Sequence, residues 1–226
     1  MNRESVQAIG QADYQAVFDT DRDLAFQIIR QALADGVTPE TIVFEIVVPS
    51  IDRMVAGFTD TFDSSIAQHF MATQIAAAVT EEMLALFQHQ PEVVGTVILG
   101  ASAGDFHGLG KRIVAGCLKT QMIEVIDIGV NAPAEKFLAA ALEHKAQIIG
   151  IAAMMVHTAQ GKDGCLGVRR LLQQHGLESS VKIVVGGAPY RFDPHLYQTV
   201  QADAWAPNGI EAGRIIRQLI ETVKAR

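Results

Sequence analysis

The sequence is short of cysteine, of basic charge and of long apolar runs, and each shortage closes off a class of protein. Its two cysteines, Cys117 and Cys165, form no Cys-x-x-Cys, so a disulfide scaffold or a zinc knuckle is unsupported. Lys and Arg number 18 against 25 Asp and Glu, a net charge of −7. Phosphate binding needs a cationic face, which argues against nucleic acid as the main partner. No uncharged apolar run approaches the roughly 18–20 residues of a membrane span. No basic segment followed by an apolar one opens the chain, so neither membrane attachment nor a secretory leader is expected. What is present is a chain of 226 residues with 49% apolar and 19% charged content, which excludes disorder. The expectation is an acidic, cytoplasmic, globular protein of one large domain or two small ones.

The chain has two rhythms. Residues 1–90 carry almost no strand signal. After Asp21, the residues Leu24, Ile28 and Ala32 fall on one helical stripe that Gly36 terminates. Thr38-Pro39-Glu40 restarts a helix with a hydroxyl cap, a proline in the first turn and an acid near the positive end. Pro49 should kink or divide that helix. A third pattern covers residues 64–90 without Gly or Pro throughout, and a shorter amphipathic one covers 6–18. Short links between these patterns predict a small antiparallel four-helix bundle. From residue 93 the rhythm changes to short Val/Ile-rich runs at 93–99, 122–128, 148–155 and 181–185, each followed by punctuation and a helical pattern. A weaker run at 203–207 precedes a last helix over 210–224. Runs that are apolar throughout and alternate with helices predict a doubly wound, parallel, five-stranded α/β domain. The fold class is therefore α plus α/β, with a bundle over 1–90 and the α/β domain over 93–226.

Ligands of such sheets bind beyond the carboxyl ends of the strands. The glycine-rich stretch 100–110 lies there, but its spacing fits neither a P-loop nor the dinucleotide fingerprint. Its unusual content is Asp105-Phe106-His107-Gly108-Leu109-Gly110. An imidazole two residues from a carboxylate can ligate a metal through one nitrogen while the carboxylate holds the other. The flanking glycines would let a bulky group approach the backbone. Taken alone, the same six residues also read as a surface turn in which Asp105 caps a helix and His107 is solvated.

The stretch 104–114 resembles the signature of the cobalamin-binding domain shared by methionine synthase and the corrinoid proteins of anaerobic methyltransferase systems. The likeness extends to Ala34-Asp-Gly-Val-Thr-Pro39, similar to the helical module that precedes this domain, and to the pair Gly186-Gly187 after the fourth strand. The resemblance implies a Rossmann-like cobalamin (B12) domain with a corrinoid, and hence cobalt, as cofactor. It makes His107 the lower axial ligand of cobalt in place of the cofactor's own base, the base-off/His-on form. It further implies that Asp105 holds the far nitrogen of His107 and that Thr158 continues the relay. Phe106, Gly108, Leu109 and Gly110 would line the cofactor beside His107, and Gly186 and Gly187 would line the slot for the displaced nucleotide tail. Where the family has Ser-x-Leu after the third strand, this chain has Ala152-Ala153-Met154, so one hydrogen bond to the tail is missing, a typical loss of about 0.5–1.5 kcal/mol.

On the upper face of the cofactor, Phe58 followed by Gln68-His69 resembles the Trp-x9-Glu-His pattern of cobalamin-dependent light-sensing regulators, with Phe for Trp and Gln for Glu. The plain alternative places Phe58 in the bundle core and His69 at the bundle edge. His157 reads as a rim residue. Two functions follow from the resemblance. The first is a corrinoid carrier, without a complete reaction of its own, that shuttles a methyl group between a substrate-specific methyltransferase and an acceptor methyltransferase, with the link near residues 90–94 as a hinge. The second is a sensor of adenosylcobalamin or light. A second copy of the chain is a further candidate partner.

Overall fold

Local chemistry decides where the helices begin. In the computed structural model, which describes residues 3–56, 65–87 and 93–225, the Asp21 carboxylate accepts the Leu24 N–H at 3.0 Å and the Thr38 hydroxyl accepts the Thr41 N–H at 3.2 Å. These caps open α2 (Arg22–Ala34) and α3 (Pro39–Thr41), after α1 (Arg3–Phe18). The chain leaves α2 through Gly36, whose φ of 87° is the left-handed conformation that ends helices. From α3 the chain stays helical through a widened π segment, Ile42–Val47, into α4 (Val48–Ala56).

The proline expected to divide this helix sits inside it. Just before Pro49, the Val48 N–H reaches back to the Val43 carbonyl, five residues away. The wider turn relieves the crowding a proline ring causes in a regular helix, and Pro49 has no N–H to place. Ser65 and Gln68 form a reciprocal capping box that starts α5 (Ile66–Leu84). Within this unit α1 packs against α2, the π segment and α4, and α5 packs against α1, α2 and α4. Ile29, Ile42, Ile46, Met54, Ile75 and Met83 form its fully buried interior. Phe58 and residues 90–92 of the expected hinge over 90–94 lie outside the described residues.

A second unit begins at Val93. It contains five parallel strands: β1 (Gly95–Ser102), β2 (Ile123–Ala132), β3 (Ile148–Ala152), β4 (Lys182–Gly186) and β5 (Ala204–Ala206). Their spatial order is β2-β1-β3-β4-β5, the flavodoxin-like form of the doubly wound fold. The connections are α6 (Leu109–Lys119), α7 (Ala134–Glu143), the short α8 (Val156–Ala159), α9 (Cys165–Gln174), the short α10 (Ala188–Phe192) and α11 (Leu196–Thr199), and α12 (Gly209–Lys224) closes the domain.

Strand side chains alternate between faces, and two cores result. Ile98, Ile149 and Ile183 meet Phe137 of α7 and Val168 and Leu172 of α9. Their neighbours Val97, Ile148 and Val184 meet Leu118 of α6 and Ile216 and Ile220 of α12. A fully buried side chain such as Phe137 contributes on the order of 2–3 kcal/mol. Because both faces are covered, the ends of the strands are where a ligand can reach the sheet. Consecutive connections leave in opposite directions between β1 and β3, and the cleft opens there. Among the described residues no helix is long and apolar enough to cross a membrane.

Candidate cofactor site

The loops after β1 and β3 meet at this switch point, and Asp105 joins them. Gly104, at φ 78°, turns the chain out of β1, and the Asp105 N–H returns to the Ser102 carbonyl at 2.9 Å. The Asp105 side chain is buried. Its Oδ1 accepts the His107 backbone N–H at 2.9 Å and lies 2.8 Å from His107 Nδ1. Its Oδ2 accepts the Met154 N–H at 2.5 Å and lies 3.1 Å from the Thr158 hydroxyl. Burial alone would push this carboxyl up. The bonds from Met154, from the backbone and ring of His107 and from Thr158 outweigh it, and Asp105 titrates below its ordinary 3.8.

An ionised carboxylate only accepts, so Nδ1 of His107 carries a proton, and in the neutral ring it is Nε2 that holds the lone pair. The imidazole is 62% exposed while Asp105 beneath it is 1% exposed. The site thus holds an exposed, oriented imidazole on a buried, hydrogen-bonded anchor.

Thr158 is itself held. Its hydroxyl also lies 2.8 Å from the Met155 carbonyl, so one hydrogen is shared between two acceptors, and its carbonyl accepts the Ser102 hydroxyl at 2.9 Å. Ser102 and the Met154 N–H are parts of the anchor that the sequence reading missed. Ser102 is one more small residue at a strand end, and a backbone N–H carries no sequence signal. Ala152 ends β3, half-buried and paired with Ala101 and Gly186, and offers no hydroxyl.

The glycines divide into two kinds. A β-carbon on Gly187, at φ 122°, would collide with the Ala153 carbonyl, so the fold itself requires glycine there. Gly186 is more relaxed, with the Ala206 carbonyl 3.3 Å from the place of a β-carbon. Beside His107 the reason differs. A β-carbon on Gly110 would meet nothing within 4 Å, and one on Gly108 would make ordinary contact with Val130. The fold does not demand these two glycines, and their bare backbone keeps the surface next to the imidazole low. Around it Phe106, Leu109, Val130, Met154, Met155 and Val156 are exposed apolar side chains, with Phe106 at 70%. Exposed apolar side chains gathered at the carboxyl ends of β1, β2 and β3 are of the kind that a ligand covers. His157 is likewise exposed, on α8.

In the helical unit His69 is buried in α5, and desolvation pushes its pKa down. The neighbouring Gln68 spends its side chain on the Ser65 N–H in the capping box.

The site is thus a carboxylate-anchored histidine at the switch point of a doubly wound sheet, with exposed apolar side chains at the same strand ends. The sequence profile of the B12 binding domain matches residues 95–213, and the chain belongs to that family. Its relatives are corrinoid proteins. It is 35% identical over 150 residues to the dimethylamine corrinoid protein of Methanosarcina barkeri, covering 64% of this chain and 68% of that one. It is 32% identical over 201 residues to dimethylamine corrinoid protein 2 of Methanosarcina mazei, covering 86% and 82%. Among solved structures, the methanol:cobalamin methyltransferase complex MtaBC from M. barkeri contains a chain that superposes with a TM-score of 0.77 at 20% identity, covering 95% of this chain and 80% of that one. The chain is a cobalamin-binding corrinoid protein. The donor set fits such a cofactor: His107 would offer one protein imidazole to a metal that the cofactor itself holds.

Proposed function

We propose that this chain is a corrinoid carrier that holds cobalamin base-off/His-on through His107 and passes a methyl group from a substrate-specific methyltransferase to an acceptor methyltransferase. The observation that carries the reading is the exposed Nε2 of an imidazole whose Nδ1 is fixed by buried Asp105, in a chain of the corrinoid-protein family. The cofactor, when bound, supplies a cobalt that accepts and releases a methyl group. The chain supplies the rest. His107 would offer its Nε2 to that metal, Asp105 sets the ring's tautomer, and Thr158 and the Met154 N–H keep Asp105 in place. Phe106, Leu109 and Met154 offer apolar contact to a flat ring and exclude water from it. Gly108 and Gly110 leave room for its approach, and the stretch around Gly186 and Gly187 is assigned to the nucleotide tail. The bundle over 1–90 serves as the partner-gated module, and residues 93–226 bind the cofactor. Methylamine-type relatives and a methyltransferase complex among the structural neighbours support methyltransferase partners. The sensor reading is not favoured, because those relatives are corrinoid proteins of another kind and Gln68 is committed to a helix cap.

The test uses protein labelled with 15N-histidine and loaded with cobalamin reduced to Co(II). Electron paramagnetic resonance should show the two-line splitting of one 15N nucleus, and His107→Ala should abolish it and weaken cobalamin binding in a UV–visible titration. A three-line 14N splitting in the labelled wild type, from the cofactor's own base, would sink the His-on reading.

A further inference from the structure

His107 stands on a loop that leaves the sheet and returns to it at α6, with most of its ring in the open. What fixes that loop from outside is the end of β2. The strands β1 and β2 run in register to Leu99–Asp127, but the next pairs are Gly100–Gly129 and Ser102–Ala132, so β2 gains a residue at each of two steps. Bulges of this kind re-aim side chains and concentrate beside functional sites.

Asn131 lies at the second irregularity with φ 52°, a left-handed conformation that Asn tolerates better than most residues. From there it makes two bonds to the loop. Its side-chain Oδ1 accepts the Gly104 N–H at 2.8 Å, and its own N–H donates to the Asp105 carbonyl at 2.8 Å. On the other flank, Asp127 holds the ammonium of Lys111, the residue after Gly110, whose side chain is buried. The histidine is bracketed before and after by the same irregular strand.

We propose that Asn131 is a positioning residue for the cobalt-ligating histidine: its side chain fixes the backbone entering Asp105, and through it the aim of His107. This rests on the reading of His107 as the cobalt ligand. Two substitutions isolate the side chain. Asn131→Gly keeps the left-handed backbone and the N–H to Asp105 and deletes only the acceptor. Asn131→Asp returns an acceptor oxygen.

Three readouts apply to the full chain: amide hydrogen exchange at Gly104 in the apoprotein, the 15N-histidine splitting with Co(II) cobalamin, and the cobalamin Kd. Asn131→Gly should speed Gly104 exchange, lower the His-ligated fraction and weaken binding about three- to tenfold, the size expected for one lost hydrogen bond. Asn131→Asp should restore all three. In His107→Ala the same Gly substitution should cost no further affinity, because Asn131 acts through the histidine. A wild type without histidine splitting overturns the ligand reading and this proposal with it. Wild-type splitting with an unchanged Asn131→Gly variant overturns the positioning role alone. So do losses that simply add in the double variant, which assign Asn131 to general stability.

Discussion

The two units each bury an aspartate, and they treat it in opposite ways. Asp105 in the α/β unit meets two backbone N–H groups, an imidazole and a hydroxyl, and titrates below its ordinary value. Asp13 in α1 is likewise shut off from solvent, but its Oδ2 has no hydrogen-bond partner among the described residues. Burial pushes that carboxyl up to about 6, and a bond with Ser50 offsets only part of the rise. Solvent is shut out of both places, but Asp13 lies deeper in protein and meets fewer donors. Desolvation and donor count together decide whether the charge is favoured, so the α/β unit is built around an ionised carboxylate and the helical unit around one that resists ionising.

The largest effect that sharpens this contrast is expected from Asp105→Asn. An amide has one acceptor oxygen where the carboxylate has two, so either the His107 side or the Met154 side meets an N–H instead. Loss of such a partner behind a metal-ligating histidine should weaken cobalamin binding about 10–100-fold, read by titration. Unchanged affinity would show that the anchor is dispensable.

Asp13→Asn should act in the other direction. A carboxyl whose folded pKa is raised binds more protons in the native state between its unfolded 3.8 and about 6. Its native state therefore loses stability as pH rises through that window, and the loss is complete above it. Removing the charge should raise the stability of the helical unit by on the order of 2–3 kcal/mol at pH 8 and by little at pH 4. Thermal unfolding at the two pH values checks it, and an equal gain at both would break the comparison. Asp105 runs opposite in sign. Its stabilisation is present above 3.8 and lost as acid protonates it in the folded state below that value.

The smallest effect expected is in Gly110→Ala. Nothing in the fold opposes a β-carbon there, and α6 gains a better helix former, so apoprotein stability should rise by up to about 1 kcal/mol. Cobalamin affinity should fall if that bare backbone faces the cofactor. A melt and a titration on the same variant separate the two consequences.

Much of this was legible from residue types. Asp21, Thr38 and Pro39 announced helix starts because capping is local chemistry, and the apolar runs announced a covered parallel sheet because no other setting tolerates them. Asp105, His107 and Thr158 do come together, at 2.8 and 3.1 Å from the Asp105 oxygens. What escaped was non-local or generic. The third run was read to residue 155, but β3 ends at Ala152, because Met154 turns its N–H to Asp105 and leaves the ladder. Asn131 reads as turn punctuation until the slipped register of β2 brings it beside Gly104. Gln68 was read with His69 as a ligand-facing pair, whereas Ser65 three residues earlier carried the plainer signal of a capping box.

The widened turn before Pro49 has a consequence for descent and redesign. A π turn holds one residue more than an α turn, so Ile42–Val47 behaves as a single-residue insertion absorbed without breaking the helix. Deleting one residue there would return the segment to a regular helix with Ile42, Val43, Ile46 and Val47 still facing the interior beside Ile51 and Met54. It would also bring the Pro49 ring against the carbonyl four residues back, the crowding that the wider turn relieves. The extra residue and the proline that follows it therefore work as a unit.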